Sequence, residues 1–333
     1  MRRCTRCTLP ETFPGITFAA DGTCSVCAEF AERDQFIPSL KRLRAQFDQL
    51  VAKAKASDCH YHALVAYSGG KDSTYLCYLL KKDYGLNILA FTLDNGFISR
   101  QTFSNMARVM DNLGIDHVVT RPRFDLAKEV FSTSANSDIY PQSLLKCGSS
   151  VCVSCIRMVT NLSLRSALEK HIPLIMLGNS PGQLIQSEKE IIYQDNRIPW
   201  ELKQKLFQPL ADKVGKEVYH YVMLEREQYQ RSDFPYTVNP FPIIGYDEKI
   251  IYETIEQLGW RRPADVDACS TNCQLNSYGI VKHIERHNFH PYDYEIAMLV
   301  RLDKITREEA LRRLESSTER LVQLASAVSD KLD

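Results

Sequence analysis

Residues 64–73 contain the side chains of this chain that are best placed to bind a phosphate. An apolar run at 64–67 is typical of a buried strand, and a run with helical spacing follows at 73–83. The turn between them consists of Ser68, Gly69, Gly70, Lys71, Asp72 and Ser73. Glycine lets the backbone approach an anion closely, and the N-terminus of a helix attracts negative charge. The spacing is not that of a Walker A motif, so the sequence predicts a different phosphate-binding loop. The alternative is a plain Gly-Gly turn.

Four cysteines near the N-terminus have the spacing of a metal site. They form two Cys-X-X-Cys pairs, Cys4 with Cys7 and Cys24 with Cys27. Each pair can supply two thiolates from a tight turn, and four sulfurs complete a tetrahedral zinc site. Because no position is left for water, we expect a structural metal that folds a segment poor in large apolar residues. An iron–sulfur cluster is the alternative at these cysteines.

A second group of cysteines lies in the middle and later part of the chain. Cys147, Cys152 and Cys155 precede a predicted helix at 156–170, and Cys269 and Cys273 follow far downstream. The helix leads into a predicted strand at 172–177, whose carboxyl end is where open α/β folds bind ligands. A Cys-X-X-Cys pair with one distant thiolate suits a [4Fe–4S] cluster with one iron free of protein ligands. The alternatives are a second zinc site, a dithiol relay that carries a persulfide, and ordinary buried thiols.

The sequence SGGKDS resembles the pyrophosphate loop, SGGxDS, of the PP-loop ATP pyrophosphatases, a superfamily that includes GMP synthetase, asparagine synthetase and tRNA thiolation enzymes. The resemblance implies an enzyme that splits ATP between its α- and β-phosphates and adenylates an oxygen of its acceptor. It also implies that residues 68–73 bind the nucleotide, that Lys71 and Asp72 are catalytic, and that Asp72 helps to hold Mg²⁺.

The central cysteines resemble those of the iron–sulfur-dependent tRNA 2-thiolation branch of this superfamily. Carried over residue by residue, the resemblance makes Cys152 and Cys155 cluster ligands and catalytic residues. Cys269 or Cys273 becomes the third ligand, and Cys147 is a further candidate. This branch implies sulfur transfer to the activated acceptor, with a sulfur donor as a partner.

The two ends of the chain resemble a different branch, the N-acetyl sugar amidotransferases of surface-polysaccharide synthesis. The four-cysteine ribbon and the sequence TREEAL at 306–311 carry this likeness. It implies a sugar acceptor and ammonia supplied by a glutaminase partner. Ammonia chemistry has no task for the central cysteines, so they favour sulfur transfer. Thiolation of tRNA and a non-catalytic nucleotide-binding protein are further alternatives.

The alternation of predicted strands and helices indicates an α/β fold with a doubly wound parallel sheet, which the resemblance makes PP-loop or HUP-like. We divide the chain into a zinc ribbon at 1–36, a connecting helix at 37–60, a nucleotide-binding core at 61–185, and insertions, sheet completion and a C-terminal helical region at 186–333. The predicted core strands are 64–67, 87–93 and 116–120, and the helix between the last two is 101–113.

Two strand ends carry further candidates for the nucleotide. Asp94 and Asn95 follow the predicted second strand, and Gly178 and Asn179 follow the strand at 172–177. Side chains at this edge of a parallel sheet can meet the adenine or ribose. A plain Asn-Gly turn is the alternative for the first pair.

The composition of the chain limits the kinds of binding partner that we expect for it. The formal net charge is zero, so no global basic field recruits nucleic acid, although a local basic face is compatible with that total. We see no apolar run near the length of about 20 residues needed to span a membrane. Eleven cysteines without a signal sequence predict a cytoplasmic protein that uses thiols for metal or redox chemistry. The C-terminal helix is predicted to pack or to form a homodimer contact.

Overall fold

The computed structural model describes residues 1–31, 36–184, 188–315 and 318–332. Six strands in these ranges form one sheet: β1 (Ala63–Ala66), β2 (Ile88–Leu93), β3 (Asp116–Thr120), β4 (Leu174–Leu177), β5 (Ile192–Tyr193) and β6 (Tyr236–Val238). The strand order is β3-β2-β1-β4-β6-β5. All neighbouring strands are parallel except β5, which is antiparallel to β6.

Helices surround this sheet. In chain order they are α1 (Ser25–Ala31), α2 (Phe36–Ala56), α3 (Lys71–Tyr78), α4 (Arg100–Leu113), α5 (Phe124–Asn136), α6 (Gln142–Leu145), α7 (Ser150–Glu169), α8 (Glu188–Ile191), α9 (Trp200–Val214), α10 (Tyr219–Val222), α11 (Phe241–Ile244), α12 (Glu248–Gln257), α13 (Leu275–His287), α14 (Asp293–Arg301), α15 (Arg307–Leu314) and α16 (Thr318–Leu332). A π-helical turn, Leu79–Asp83, continues α3, and a 3₁₀ turn, Pro181–Gln183, follows β4.

The helices cover both faces of the sheet, as expected for a doubly wound fold. Apolar side chains of α5, α7, α9, α13 and α16 pack on one face, and those of α2, α3, α4 and α12 pack on the other. Strand β2 is buried along its whole length, which explains its continuous apolar sequence. The predicted fold class, a largely parallel α/β sheet, is therefore confirmed.

The sheet has its topological switch point between β1 and β4. From β1 the chain moves outward to β2 and β3, and it then returns to add β4 on the other side of β1. The loops after these two neighbouring strands consequently diverge and leave a crevice at the carboxyl edge, where sheets of this type bind ligands. Both the loop at 68–73 and Gly178 with Asn179 lie at this crevice.

The structure corrects several expected boundaries. Cys152 and Cys155 do not precede their helix but lie in its first turns, because α7 already begins at Ser150 with a side-chain cap from Ser149. The region after 186 supplies two sheet strands, β5 and β6, which complete the sheet within the range predicted to hold insertions and sheet completion. The C-terminal segment at 306–333 is two helices, α15 and α16, rather than one. Helix α1 lies inside the ribbon predicted at 1–36. Residues 32–35, near the end of that ribbon, lie outside the described part of the chain.

One described helix is long and apolar enough to cross a membrane by length and composition, contrary to the expectation from the sequence. It is α7, and 56% of the relevant window is buried inside the molecule. Its apolar side chains, such as Met158 and Leu168, belong to the core of one sheet face. Its composition is therefore that of a core helix.

Close packing at the crevice makes Gly178 sensitive to substitution. A Cβ atom at this position would lie 2.9 Å from both the Cα and the N atom of Ser73, and backbone cannot move aside as a flexible side chain can. We expect Gly178→Ala to lower the free energy of unfolding by about 1–3 kcal/mol, the usual cost of overpacking, as measured by urea denaturation. Gly148→Ala is the matched control, because its Cβ would meet no atom within 4 Å. Equal stabilities of the two variants would contradict the close approach.

Candidate active site

A cavity of about 830 Å³ opens at the switch point of the sheet. Its floor is the loop after β1 and the end of β4, including Gly178 and Asn179. One wall is α7 with Cys152 and Cys155, and the opposite wall comes from α12 and α15. The segment 268–276 covers the top and contributes Cys269 and Cys273. The volume lies in the range of small-molecule and nucleotide sites.

The loop after β1 has the conformation that an anion-binding turn needs. Gly69 has a φ of 74°, a left-handed value that a residue with a side chain rarely adopts. The hydroxyls of Ser68 and Ser73 lie 3.0 Å apart, and Gly70 is the residue immediately before α3. The first amides of α3 therefore point into the cavity with the positive end of the helix dipole behind them.

The segment 268–276 holds the loop from above. The hydroxyl of Thr271 accepts a hydrogen bond of 3.1 Å from the amide of Lys71, and Asn272 Nδ2 donates to the carbonyl of Ser68 at 3.2 Å. From the other side, Trp260 Nε1 donates to the carbonyl of Gly69 at 3.0 Å. The Thr271 oxygen thus lies where an oxygen of a bound phosphate would accept the same bond. The small polar residues of 269–276 predict a return of the chain to the ligand edge of the sheet, and these hydrogen bonds confirm it.

The ammonium group of Lys71 is the centre of a charged network. Its Nζ donates to Asp72 Oδ1 at 2.7 Å and to the hydroxyl of Tyr246 at 2.7 Å, and it lies 3.1 Å from Glu248 Oε1. Burial opposes the charge of Lys71, but the two carboxylates outweigh it and raise the pKa above its ordinary value. Lys71 is therefore a permanent cation beside the anion-binding loop.

Glu248 is in turn held by Arg313 of α15. The two side chains form a bidentate pair, with distances of 2.6 Å to Oε2 and 3.2 Å to Oε1. Burial raises the pKa of Glu248, yet the hydrogen bonds and charges of Arg313 and Lys71 prevail and bring it to about 2. Alternating positive and negative groups therefore connect the loop, α12 and α15.

A third carboxylate, Glu295 of α14, lines the same cavity. The hydroxyl of Ser180 donates to its Oε1 at 2.8 Å. Burial raises the pKa of Glu295 from 4.5 to about 7, and the bond from Ser180 and the charge of Lys71 only partly oppose this. Glu295 is thus a group that exchanges a proton near neutral pH at the edge of the loop.

Three thiols line the wall of the cavity, and two of them lie beside Asn95. Its Nδ2 atom lies 3.4 Å from the sulfur of Cys155 and 3.5 Å from that of Cys273, while the thiol of Cys152 donates to Asn276 Oδ1 at 3.3 Å. Burial raises the pKa of Cys152 to about 12 and also raises those of Cys155 and Cys273. These thiols are therefore neutral at pH 7 unless a metal ion binds them.

The other central cysteines are placed differently. Cys269 lines the cavity, but its sulfur lies 4.0 Å from the carbonyl oxygen of Arg313. Cys147 does not line the cavity. In the described part of the chain, these cysteines do not form a second set of ligand atoms close enough for a single ion. A zinc site at the central cysteines is therefore not supported.

Two of the residues expected to bind the nucleotide, Asp94 and Gly69, do not line the cavity. Asp94 accepts a hydrogen bond of 2.9 Å from the amide of Gly96 and lies 3.6 Å from Arg121, so its side chain stabilises a turn. The neighbouring Asn95 does line the cavity, although it contacts thiols. Gly69 shapes the loop without lining the cavity, whereas Ser68, Gly70, Lys71, Asp72 and Ser73 all line it.

The N-terminal cysteines form a buried group that can hold a metal ion. Their four sulfurs lie within 4.8 Å of one another, with 3.9 Å between Cys4 and Cys27 and 3.8 Å between Cys7 and Cys24. A tetrahedron of sulfurs about 2.3 Å from a zinc ion has edges of about 3.8 Å. Hydrogen bonds with Cys24 and Cys7 lower the pKa of Cys27, whereas hydrogen bonds with Cys24 and Cys27 raise the pKa of Cys7. The geometry of the four sulfurs fits Zn²⁺.

Arginines of the C-terminal helices fasten this ribbon to the rest of the molecule. Arg301 of α14 donates to the sulfurs of Cys7 and Cys27 at 3.4 Å each. Arg307 of α15 donates to the carbonyls of Cys4 and Cys7, and Arg3 forms an ion pair of 2.8 Å with the buried Asp293. The ribbon thus fixes α14, the helix that carries Glu295, through both of its ends.

Sequence reasoning missed much of the charged part of the site. Tyr246, Glu248, Thr271, Glu295 and Arg313 carry no motif, and they lie about 175 or more residues from the loop. Glu295 and Arg313 occupy ordinary amphipathic helices. The one usable signal was the segment after Cys269, whose small polar residues indicated a return to the sheet edge.

Comparisons with known proteins add little beyond the fold. No protein-family model matches the chain. It is 22% identical over 292 residues to the uncharacterized protein MJ1599 of Methanocaldococcus jannaschii, and the alignment covers 87% of this chain and 85% of that protein.

Three solved structures are similar in part. The U34-tRNA thiolase NcsA of Methanococcus maripaludis, with its [4Fe-4S] cluster, has 17% identity and a TM-score of 0.35, covering 95% of this chain and 88% of that one. A predicted tRNA methyltransferase subunit of M. jannaschii has 14% identity and a TM-score of 0.30, covering 70% and 91%. The NMN synthetase of Francisella tularensis has 12% identity and a TM-score of 0.31, covering 79% and 95%. At these TM-scores the likenesses support no conclusion about activity.

The raised pKa of Glu295 predicts a pH-dependent loss of stability. Between pH 4.5 and about 7 the folded chain binds more protons at this carboxyl than the unfolded chain does, so its contribution falls as pH rises. Glu295→Gln should therefore reduce the drop in melting temperature between pH 5.5 and pH 8.0, measured by differential scanning calorimetry. The exposed Glu253→Gln serves as control and should leave the drop unchanged. A Glu295→Gln protein with the wild-type pH dependence would show that Glu295 ionises as a free carboxyl does.

Proposed function

We propose that this protein is an ATP-dependent adenylating enzyme that releases AMP and pyrophosphate and replaces an oxygen of its acceptor with sulfur. The proposal rests on one observation: side chains suited to bind phosphate and cysteine thiols line the same cavity. The loop at 68–73 with Lys71 lines its floor, and the thiols of Cys152, Cys155 and Cys273 line its wall. Phosphate binding and sulfur chemistry could therefore meet on one acceptor.

The chain's own groups suit the first half of such a reaction. An acceptor oxygen attacks the α-phosphorus, the bond from this phosphorus to the oxygen bridging to the β-phosphate breaks, and pyrophosphate leaves. The amides at the start of α3 and the ammonium of Lys71 stabilise the charge that grows on the leaving group. Asp72 and Glu248 supply carboxylate oxygens of the kind Mg²⁺ prefers, and that ion would neutralise further phosphate charge.

In the second half, a nucleophile attacks the acceptor carbon and AMP leaves with the original oxygen. We favour sulfur because three thiols line this cavity, two of them beside Asn95, and ammonia would need none of them. We assign Cys152, Cys155 and Cys273, rather than Cys269 or Cys147, as the ligands of a [4Fe–4S] cluster. When bound, such a cluster would supply an iron without a protein ligand for the sulfur donor.

The proposal also includes a metal at the N-terminal cysteines and a second candidate function. We propose Zn²⁺ as the metal of Cys4, Cys7, Cys24 and Cys27, with a structural role because the four sulfurs fill its coordination. The second candidate function is transfer of ammonia to an N-acetyl sugar, supported by the ribbon and by the 306–311 sequence. A sulfur-donor or glutaminase partner, a tRNA acceptor, a homodimer and a cytoplasmic location stay predictions.

Cleavage of ATP tests the first half. Anaerobic protein with Mg²⁺, ATP and a deproteinised cell extract as acceptor source should form AMP and pyrophosphate, resolved by ion-exchange chromatography. An analogue with a β,γ-imido bond should still yield AMP, whereas one with an α,β-methylene bond should not. Lys71→Ala should lower AMP formation by roughly 10²-fold or more, because it removes a buried cation from the loop.

Lys249→Ala is the control for that variant, because Lys249 is an exposed lysine next to Glu248 in the chain. Its rate should equal that of the wild type. Formation of ADP, or an undiminished rate in Lys71→Ala, would refute the adenylating function.

The metal content of the purified protein tests the second half of the proposed reaction, the transfer of sulfur. Anaerobically purified protein should contain about one zinc and about four irons with matching sulfide per chain. Cys273→Ala should lose the iron and keep the zinc, whereas Cys24→Ser should lose the zinc. Cys269→Ala and Cys59→Ala should keep both metals. Zinc without iron in the wild type would move the function to ammonia transfer or a thiol relay.

A further inference from the structure

A second cavity lies on the other side of α7. It measures about 280 Å³ and lies between α7 and α9. Ile156 and Val159 of α7 line the large cavity, Arg157 and Asn161 line the small one, and Thr160 lines both. Thr160 is five residues after Cys155, about 7.5 Å along the helix. A small molecule of ordinary length could therefore reach from the thiols into this second space.

The charged groups of the small cavity favour an anion. Lys203 is only 8% exposed and forms an ion pair with Asp195, and Arg157 adds a second cation. Of the lining residues that the structure describes, two are cations and one is a carboxylate. Among the described residues, Arg157 has no hydrogen-bond or ion-pair partner. An unpaired guanidinium at a partly enclosed cavity is well suited to bind phosphate or carboxylate.

The rest of the lining suits an organic ligand rather than a bare ion. Leu164, Leu206, Phe207 and Val222 form an apolar wall, and the Tyr229 ring lies opposite with Lys203 5.1 Å from its centre. Two further apolar lining residues, Ile198 and Leu202, are more than 45% exposed. Exposed apolar side chains at the rim of a pocket with few polar groups are typical of a ligand site.

We propose that this second cavity is the acceptor subsite, in which Arg157 binds the anionic end of a small phosphorylated acceptor while its reacting group extends past Thr160 to the thiols. The inference rests on the proposed function and names its substrate class, a compact organic phosphate such as a sugar phosphate. A cavity of 280 Å³ holds such a group, whereas RNA would need a broad basic face.

Binding measurements test the assignment directly. In isothermal titration calorimetry, the wild-type protein should bind N-acetylglucosamine 1-phosphate, inorganic phosphate should compete with it, and neutral N-acetylglucosamine should bind at least about tenfold more weakly. Arg157→Ala should raise the Kd of the sugar phosphate about tenfold or more, and Arg157→Lys should restore part of the affinity.

Lys205→Ala is the matched control, because it removes a cation from an exposed position of α9 outside the cavity. Its Kd should equal that of the parent protein. Absence of binding by both phosphate probes, equal binding of the neutral sugar, or an unchanged Kd in Arg157→Ala would each overturn the proposal. Binding of unfractionated tRNA in place of the phosphate probes would overturn it in favour of an RNA acceptor.

The binding experiment and the ATP-cleavage assay can fail independently of each other. If AMP forms and Arg157→Ala leaves phosphate binding unchanged, the acceptor subsite is wrong and the adenylating function stands. If the sugar phosphate binds through Arg157 while ATP yields ADP, the cavity is an anion site of a different enzyme. Nucleotide affinity should be equal in Arg157→Ala and the wild type, which shows that the two sites are distinct.

Discussion

The active-site region depends on keeping the charge of one buried lysine. A lysine ammonium removed from water loses its proton unless carboxylates compensate for the lost hydration. Asp72 and Glu248 provide this compensation for Lys71, and Arg313 keeps Glu248 ionised. Because these groups come from α3, α12 and α15, the electrostatic requirement of a single side chain fixes how three helices meet around the cavity.

The same logic explains why the N-terminal ribbon is part of the site although it lies outside the cavity. Four sulfurs lie in a small space, and Arg301 places a positive charge beside those of Cys7 and Cys27. Arg301 is at the end of α14, and Asp293 at its beginning pairs with Arg3. The ribbon therefore holds the helix whose Glu295 lines the same cavity as the loop.

The sequence predicted the parts of this fold whose signals are local. The strand–turn–helix around 68–73 and the cysteine pairs are visible because the relevant residues are neighbours in the chain. The short strands β5 and β6, of two and three residues, are too brief to show an alternating pattern, and their position depends on the pairing of β6 with β4 and of β5 with β6. Glu248, Glu295 and Arg313 look like any charged residue of an amphipathic helix until tertiary structure places them together. The second cavity likewise exists only because α9 packs beside α7.

The cavity walls are joined by contacts between very distant positions, such as Asn272 with Ser68 and Tyr246 with Lys71, separated by 204 and 175 residues. Bringing together positions so far apart in the chain costs conformational entropy, which the contacts across the crevice must offset. A nucleotide that contacts both walls would bind the native form and not the partly opened one. Its binding would therefore shift partly opened molecules toward the native state.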